Sequence, residues 1–313
     1  MENKLFSHIH IPEFPITIDH KDQLYSIGSC FSENIGQILA DQWFSIDVNL
    51  FGTLFNPISI LNLFNRALEK KYFVTDEIQE SGGLYFLWDC HGKITDTVKE
   101  RVLSKANQAL DQTHDFLQHG QYLFITFGTA FYFELKKDHQ VVANCHKQPQ
   151  SLFERKKITA SEIVSKYEEF HQKLNAINPN LKTIYTVSPV RHARDGFIAN
   201  NRSKAELLLA IEILEKQHSI FYFPSYEIQM DELRDYRFYS DDFMHPNPLA
   251  IKIIFDHFKD SLFTMETKDL FSKISKIKAQ ETHRHLFPES EDAKRAQIML
   301  AEKKAQLKKE IFG

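Results

Sequence analysis

Three stretches carry side chains that could do chemistry. The first is Gly28-Ser29-Cys30, which follows the apolar run Leu24-Tyr25-Ser26-Ile27. After it, Ile35, Ile38, Leu39 and Trp43 recur at helical spacing. The order is strand, tight turn, helix, with Ser32 placed to cap the helix. A thiol there sits over unpaired helix N–H groups, so a Cys30 thiolate is expected to have a lowered pKa. Ser29 is the alternative nucleophile, and Cys30 also fits a small core residue beyond a plain turn. The second stretch is Ser188-Pro189-Val190-Arg191-His192, at the end of the buried run Leu181–Val187. Open α/β sheets bind ligands at such strand ends, and Arg191 suits a carboxylate or phosphate. His192 reads equally well as a loop histidine. The third is Asp242-Phe243-Met244-His245, just ahead of Asn247-Pro248. That last pair caps and starts a helix with Ile251, Ile254, Phe255 and Phe258 on one face. An Asp-x-x-His pair is common by itself. With a distant thiol it is the equipment of acyl transfer.

The elements that must hold these residues alternate along the chain. Short strands are predicted at residues 24–28, 45–50, 121–127, 181–187 and 220–223. Helices are predicted after Cys30, after the Asn56-Pro57 cap, over Thr97–Leu117, after the capping box Thr159-Ala160-Ser161-Glu162, over Ser203–Gln217 and after Asn247. This pattern predicts a three-layer α/β/α sandwich with a mainly parallel, flavodoxin-like sheet. Residues 72–98 form an irregular or β-rich insertion turning at Ser81-Gly82-Gly83, and Phe131–Leu135 pairs with Gln140–Ala143. Residues 1–22 read as an extended arm. The composition shift after residue 263 marks a helical C-terminal extension over 264–313, whose Glu291–Lys309 stretch could join two copies of the chain.

Composition narrows the class. The chain has 313 residues, 42% of them hydrophobic, enough for one large α/β domain. Net charge is −4 without a basic stripe, which argues against nucleic-acid binding. No apolar run reaches the roughly 18 residues of a membrane span. His8, His10 and Glu13 stand where a secretory signal would be apolar, and the three cysteines, Cys30, Cys90 and Cys145, are widely spaced. Both features predict a cytoplasmic protein. Cys90-His91 and Cys145-His146 are neighbours in sequence, poor spacing for two ligands to one zinc, so neither metal nor cofactor is expected.

Ile27-Gly28-Ser29-Cys30-Phe31 resembles the signature of the GSCFA family, and further stretches extend the likeness over most of residues 10–260. The layout is also similar to the first block of the SGNH (GDSL-like) hydrolases, which places Cys30 on their nucleophile. That resemblance implies Asp242 orienting His245 as the base, and the Gly52 backbone N–H holding an oxyanion with that of Cys30. The Trp88-Asp89-Cys90-His91 segment resembles a family segment in which Asp89 and His91 line the pocket, although Cys90 replaces an aromatic residue. Ala130 occupies the position of the superfamily's oxyanion asparagine. Asn144, in the signature-like Asn144-Cys145-His146-Lys147, could replace it, with His146 or Lys147 binding an anion. The Arg191-His192 stretch also follows the family pattern.

Two functions follow. One is an esterase, acylhydrolase or acyltransferase acting on a small-molecule or carbohydrate acyl ester. The other is a shell of the same shape that binds a sugar or acyl ligand without turnover.

Overall fold

The computed structural model describes residues 7–282 and 290–313. Residues 1–6 of the predicted arm and 283–289 of the predicted extension lie outside the described residues. The chain runs β1 (Gln23–Gly28), α1 (Cys30–Asp41), β2 (Ser45–Val48), α2 (Pro57–Leu68), β3 (Gln79–Ser81), β4 (Leu84–Phe86), α3 (Lys99–His119) and β5 (Tyr122–Phe127). It continues with β6 (Phe131–Leu135), β7 (Val141–Val142), β8 (Phe153–Lys157), α4 (Ala160–Ile177), β9 (Lys182–Val187) and α5 (Gly196–Gln217). Then come β10 (Ile220–Tyr222), α6 (Ser225–Glu227), α7 (Pro248–Leu262), α8 (Met265–Thr282) and α9 (Glu291–Phe312).

The central sheet has the order β10-β9-β5-β1-β2, and each neighbouring pair is parallel. Read from β2, this is the flavodoxin-like order, and the expected three layers are present. Its inner strands are buried on both faces, which is why they read as near-continuous apolar runs. Tyr25, Ile27, Leu123, Ile125 and Tyr185 share one core with residues of α2, α3, α4 and α5. Leu24, Phe124 and Ile184 share the other with α1 and α7. Phe271 of α8 belongs to that second core beside Phe44 and Phe263, so α8 is packed into the body rather than appended to it. Ile274, Ile277, Leu307 and Ile311 then seal α8 against α9.

The arm is tied down too: the Ile18 N–H donates to the Leu262 carbonyl at 2.8 Å. The insertion turns at Gly82 and Gly83, both at positive φ, as a two-residue hairpin requires. The β6–β7 pair forms as expected, but β8 also joins it, pairing antiparallel along β6. The charged run Phe153-Glu154-Arg155-Lys156-Lys157 gives little strand signal because only Phe153 is buried. Among the described residues no helix is long and apolar enough to cross a membrane.

Candidate active site

The strand order changes direction between β1 and β5, and the crevice beyond the carboxyl ends of these two strands is where ligands bind in such sheets. The chain is pinned there. Gly28 has φ +138°, and a Cβ at this position would come within 2.1 Å of the Thr126 carbonyl oxygen, so only glycine fits. The Ser29 N–H donates to that same oxygen at 3.2 Å. Buried Asn49 accepts the Gly28 N–H at 2.9 Å and fixes the turn from the β2 side.

Ser29, rather than Ser32, caps α1: its Oγ accepts the Phe31 N–H at 3.3 Å. The helix therefore begins three residues earlier than expected, with Cys30 in its first turn. Ser32 instead bonds Ser26 inside the α1 face of the sheet, Oγ to Oγ at 2.6 Å. Ser29 is wholly buried and occupied as a cap, which counts against it as the nucleophile.

Cys30 opens onto a cavity of about 410 Å³ that also has Ser29, Thr53, Phe55, His91, Ser188, Arg191, His192 and His245 in its walls. Segments that follow β1, β9 and β10 of the central sheet and β4 of the hairpin insertion thus bring Cys30, His91, Arg191, His192 and His245 together. Burial pushes the Cys30 thiol above its ordinary pKa, although the N–H groups of Cys30 and Phe31 and the charge of Lys204 pull the other way. This corrects the expected lowering: the helix start does favour the thiolate, but desolvation in the cavity wall outweighs it.

The Asp242–His245 pair is fully formed. Asp242 Oδ1 accepts the backbone N–H groups of Met244 and His245 at 2.9 and 3.0 Å, and Oδ2 meets His245 Nδ1 at 2.5 Å. Those backbone N–H groups and the imidazole hold the carboxyl down at about 2, so it is ionised at neutral pH. An ionised carboxylate only accepts, so Nδ1 carries the proton and Nε2 of the neutral ring keeps a lone pair.

Other residues land elsewhere. The Gly52 N–H is donated to the Asn49 carbonyl at 2.7 Å and is not free to hold an oxyanion. Gly52 is needed for packing: at φ +78°, a Cβ would lie 2.6 Å from that of His91. The next residue, Thr53, lines the cavity, and its N–H makes no hydrogen bond among the described residues. Asn144 lines a neighbouring cavity instead, and its Oδ1 accepts the His146 N–H at 2.7 Å. His146 is a structural residue. Its Nε2 lies 3.0 and 2.9 Å from the Leu87 and Cys90 carbonyls, and its ring stacks on Phe86. Asp89 faces a third cavity, 3.5 Å from Arg66, and burial raises its pKa. His91 does reach the Cys30 cavity, where burial lowers its pKa.

His192 sits among cations with its Nε2 buried and unpartnered among the described residues. Burial, with Lys204, His245 and Arg155 adding to it, lowers its pKa to about 4. It is therefore neutral in the folded chain, whereas an unfolded histidine takes a proton near 6.5. As pH falls from about 6.5 to 4 the unfolded state binds the extra proton, so stability falls with pH across that window. Chemical denaturation at pH 7 and pH 4.5 should show a smaller acid loss for His192→Asn than for the parent. Equal losses would mean that His192 does not titrate this way.

Lys204 belongs to none of the motifs read from the sequence. It is 1% exposed, and its Nζ donates to the Gly128 and Ser188 carbonyls, both at 2.7 Å, at the ends of β5 and β9. Burial lowers its pKa to about 7, while its pull on the Cys30 thiol is the one cationic influence on that group. A helical-wheel reading could have found it, because Lys204 shares a face with the buried Leu207, Ile211 and Leu214.

For a metal, the group with suitable spacing among the described residues is Glu134, His139 and Glu154, on the β6–β8 sheet. Lys156 already pairs with Glu134 there. The Cys90-His91 and Cys145-His146 pairs do not converge into such a group.

No curated protein matches the chain. The model of the GSCFA family matches residues 23–258. The matched region opens at β1 and ends within α7, so it takes in the Cys30 turn, the Arg191-His192 loop, Lys204 and the Asp242–His245 pair. On that match, which spans most of its length, the chain belongs to the GSCFA family.

Proposed function

We propose that this chain is an acyl-transfer enzyme, an esterase, acylhydrolase or acyltransferase working in the SGNH manner with a cysteine nucleophile. The observation that carries the reading is that Cys30 and the Asp242-oriented His245 share one cavity at the switch point of the sheet. Because burial keeps the thiol protonated, the mechanism needs a base at the moment of attack rather than a standing thiolate. His245 Nε2 takes the Cys30 proton as Sγ adds to the acyl carbon. The imidazolium so formed is stabilised by Asp242 and returns its proton to the leaving alcohol or thiol. Water or an acceptor hydroxyl then releases the acyl group by the same steps in reverse roles. The Cys30 N–H and the unengaged Thr53 N–H support the developing oxyanion. Thr53 takes the role that the resemblance gave to Gly52, whose amide is already bonded.

A binding shell without turnover is the second reading, favoured by Ala130 where the superfamily has its oxyanion asparagine. Incubation with short-chain acyl esters and thioesters, followed by peptide mass spectrometry, separates the two. An acyl adduct on Cys30 that is absent from Cys30→Ala supports the enzyme. Bound ligand without adduct or turnover supports the shell.

A further inference from the structure

The cavity of Cys30 does not end at His192. A second cavity of about 350 Å³ abuts it, and Phe55, His192 and Arg194 stand in the walls of both. The two form one cleft with a reactive lobe at Cys30 and a second lobe under β6 and β8.

That cleft holds more positive than negative charge. Arg155 lies over the Phe131 ring at 4.0 Å and is neutralised by an ion pair with Asp195. Arg194 lies over the Phe133 ring at 5.0 Å and has no carboxylate partner among the described residues. Arg191 lies over the Phe197 ring at 4.2 Å, and its Nε is buried without a hydrogen-bond partner among them. Buried Lys204 adds to the same field from behind the cleft. Of the carboxylates nearby, Asp195 is committed to Arg155 and Asp242 to His245, while Glu33, which accepts the Thr53 hydroxyl at 3.3 Å, bears on the Cys30 end rather than on the two arginines.

Aromatic rings hold the two free guanidinium groups in place, which lowers the entropy cost of binding a ligand with them. A buried guanidinium N–H without an acceptor costs free energy, and an anion spanning the two would supply one. We infer that the substrate carries an anionic group, a carboxylate or a phosphate, which Arg191 and Arg194 hold at the junction of the two lobes while its acyl bond lies against Cys30. The assignment of the acyl bond rests on the acyl-transfer reading; the anion subsite does not.

Binding can be measured without turnover. Inorganic phosphate, succinate and neutral succinamide would be titrated calorimetrically into the parent, Cys30→Ala, Arg194→Gln and Arg191→Gln/Arg194→Gln proteins. Each would first be checked for an unchanged melting temperature. Arg194 is exposed, so its single variant should fold normally. The expected result is that phosphate or succinate binds the parent and Cys30→Ala alike and succinamide binds neither. Loss of one charge-assisted contact should weaken the anion about 10-fold or more, and the double variant further. The preferred anion tells phosphate from carboxylate. The same anion should also slow alkylation of Cys30 in the parent. Equal binding of succinamide, or undiminished anion binding in the double variant, would overturn the subsite. Anion binding without turnover of any acyl ester would leave the subsite standing and sink the acyl-transfer reading. Turnover of neutral esters without anion binding would do the reverse.

Discussion

Asp242→Asn should lower kcat/KM for acyl esters by about 10²- to 10⁴-fold, the range associated with a positioned general base. The two oxygens of Asp242 do different jobs. Oδ1 accepts the Met244 and His245 backbone N–H groups, and the asparagine carbonyl can go on accepting both. Oδ2, 2.5 Å from His245 Nδ1, becomes an NH₂ group that can only donate. The imidazole must then either lose this contact or move its proton to Nε2. In that second tautomer it cannot take the Cys30 proton. Asp242 lies at the surface, so the loss should come with little change in unfolding free energy. An unchanged melting temperature beside the lost rate separates a misoriented base from a misfolded variant. If Asp242→Asn keeps half the parent rate, the pair is not the base.

The parts of this site legible in the sequence are those that short-range chemistry fixes. The Gly28-Ser29-Cys30 turn is signalled by the strand before it and the helical spacing after it. The Asp242–His245 bond forms within one turn of chain, ahead of a helix that Asn247 caps through the Ala250 N–H. The sheet was legible because its inner strands are buried on both faces and alternate with helices. What could not be read depends on contacts distant in sequence. Whether the Gly52 amide faces the cavity is decided by the Asn49 carbonyl, and the fate of His146 by two carbonyls more than fifty residues away. Asn144 and Asp89 lie in segments that fold onto neighbouring cavities. The thiol pKa departs from expectation for a related reason: the helix start is local and visible, whereas burial of Cys30 comes from the surrounding loops.

Lys204→Met should change how stability depends on pH more than any single surface substitution. Below about pH 7 Lys204 is protonated in both the folded and the unfolded chain, and stability does not respond to its titration. Above that, the folded protein releases the proton while the unfolded chain keeps it up to about 10.4. Between these limits the unfolded state binds more protons, so the stability of the parent should climb relative to Lys204→Met. The difference should grow by up to about 1.4 kcal/mol per pH unit. Methionine fills similar space but leaves the Gly128 and Ser188 carbonyls without their donor, which offsets the relief of burying an ammonium. The sign of the difference at a single pH is therefore a poor test, and the slope is the informative quantity. Urea titrations at pH 6.5, 7.5, 8.5 and 9.5 would give it. Parallel stability curves for parent and variant across this range would mean that Lys204 does not release its proton there and only fills the space between β5 and β9.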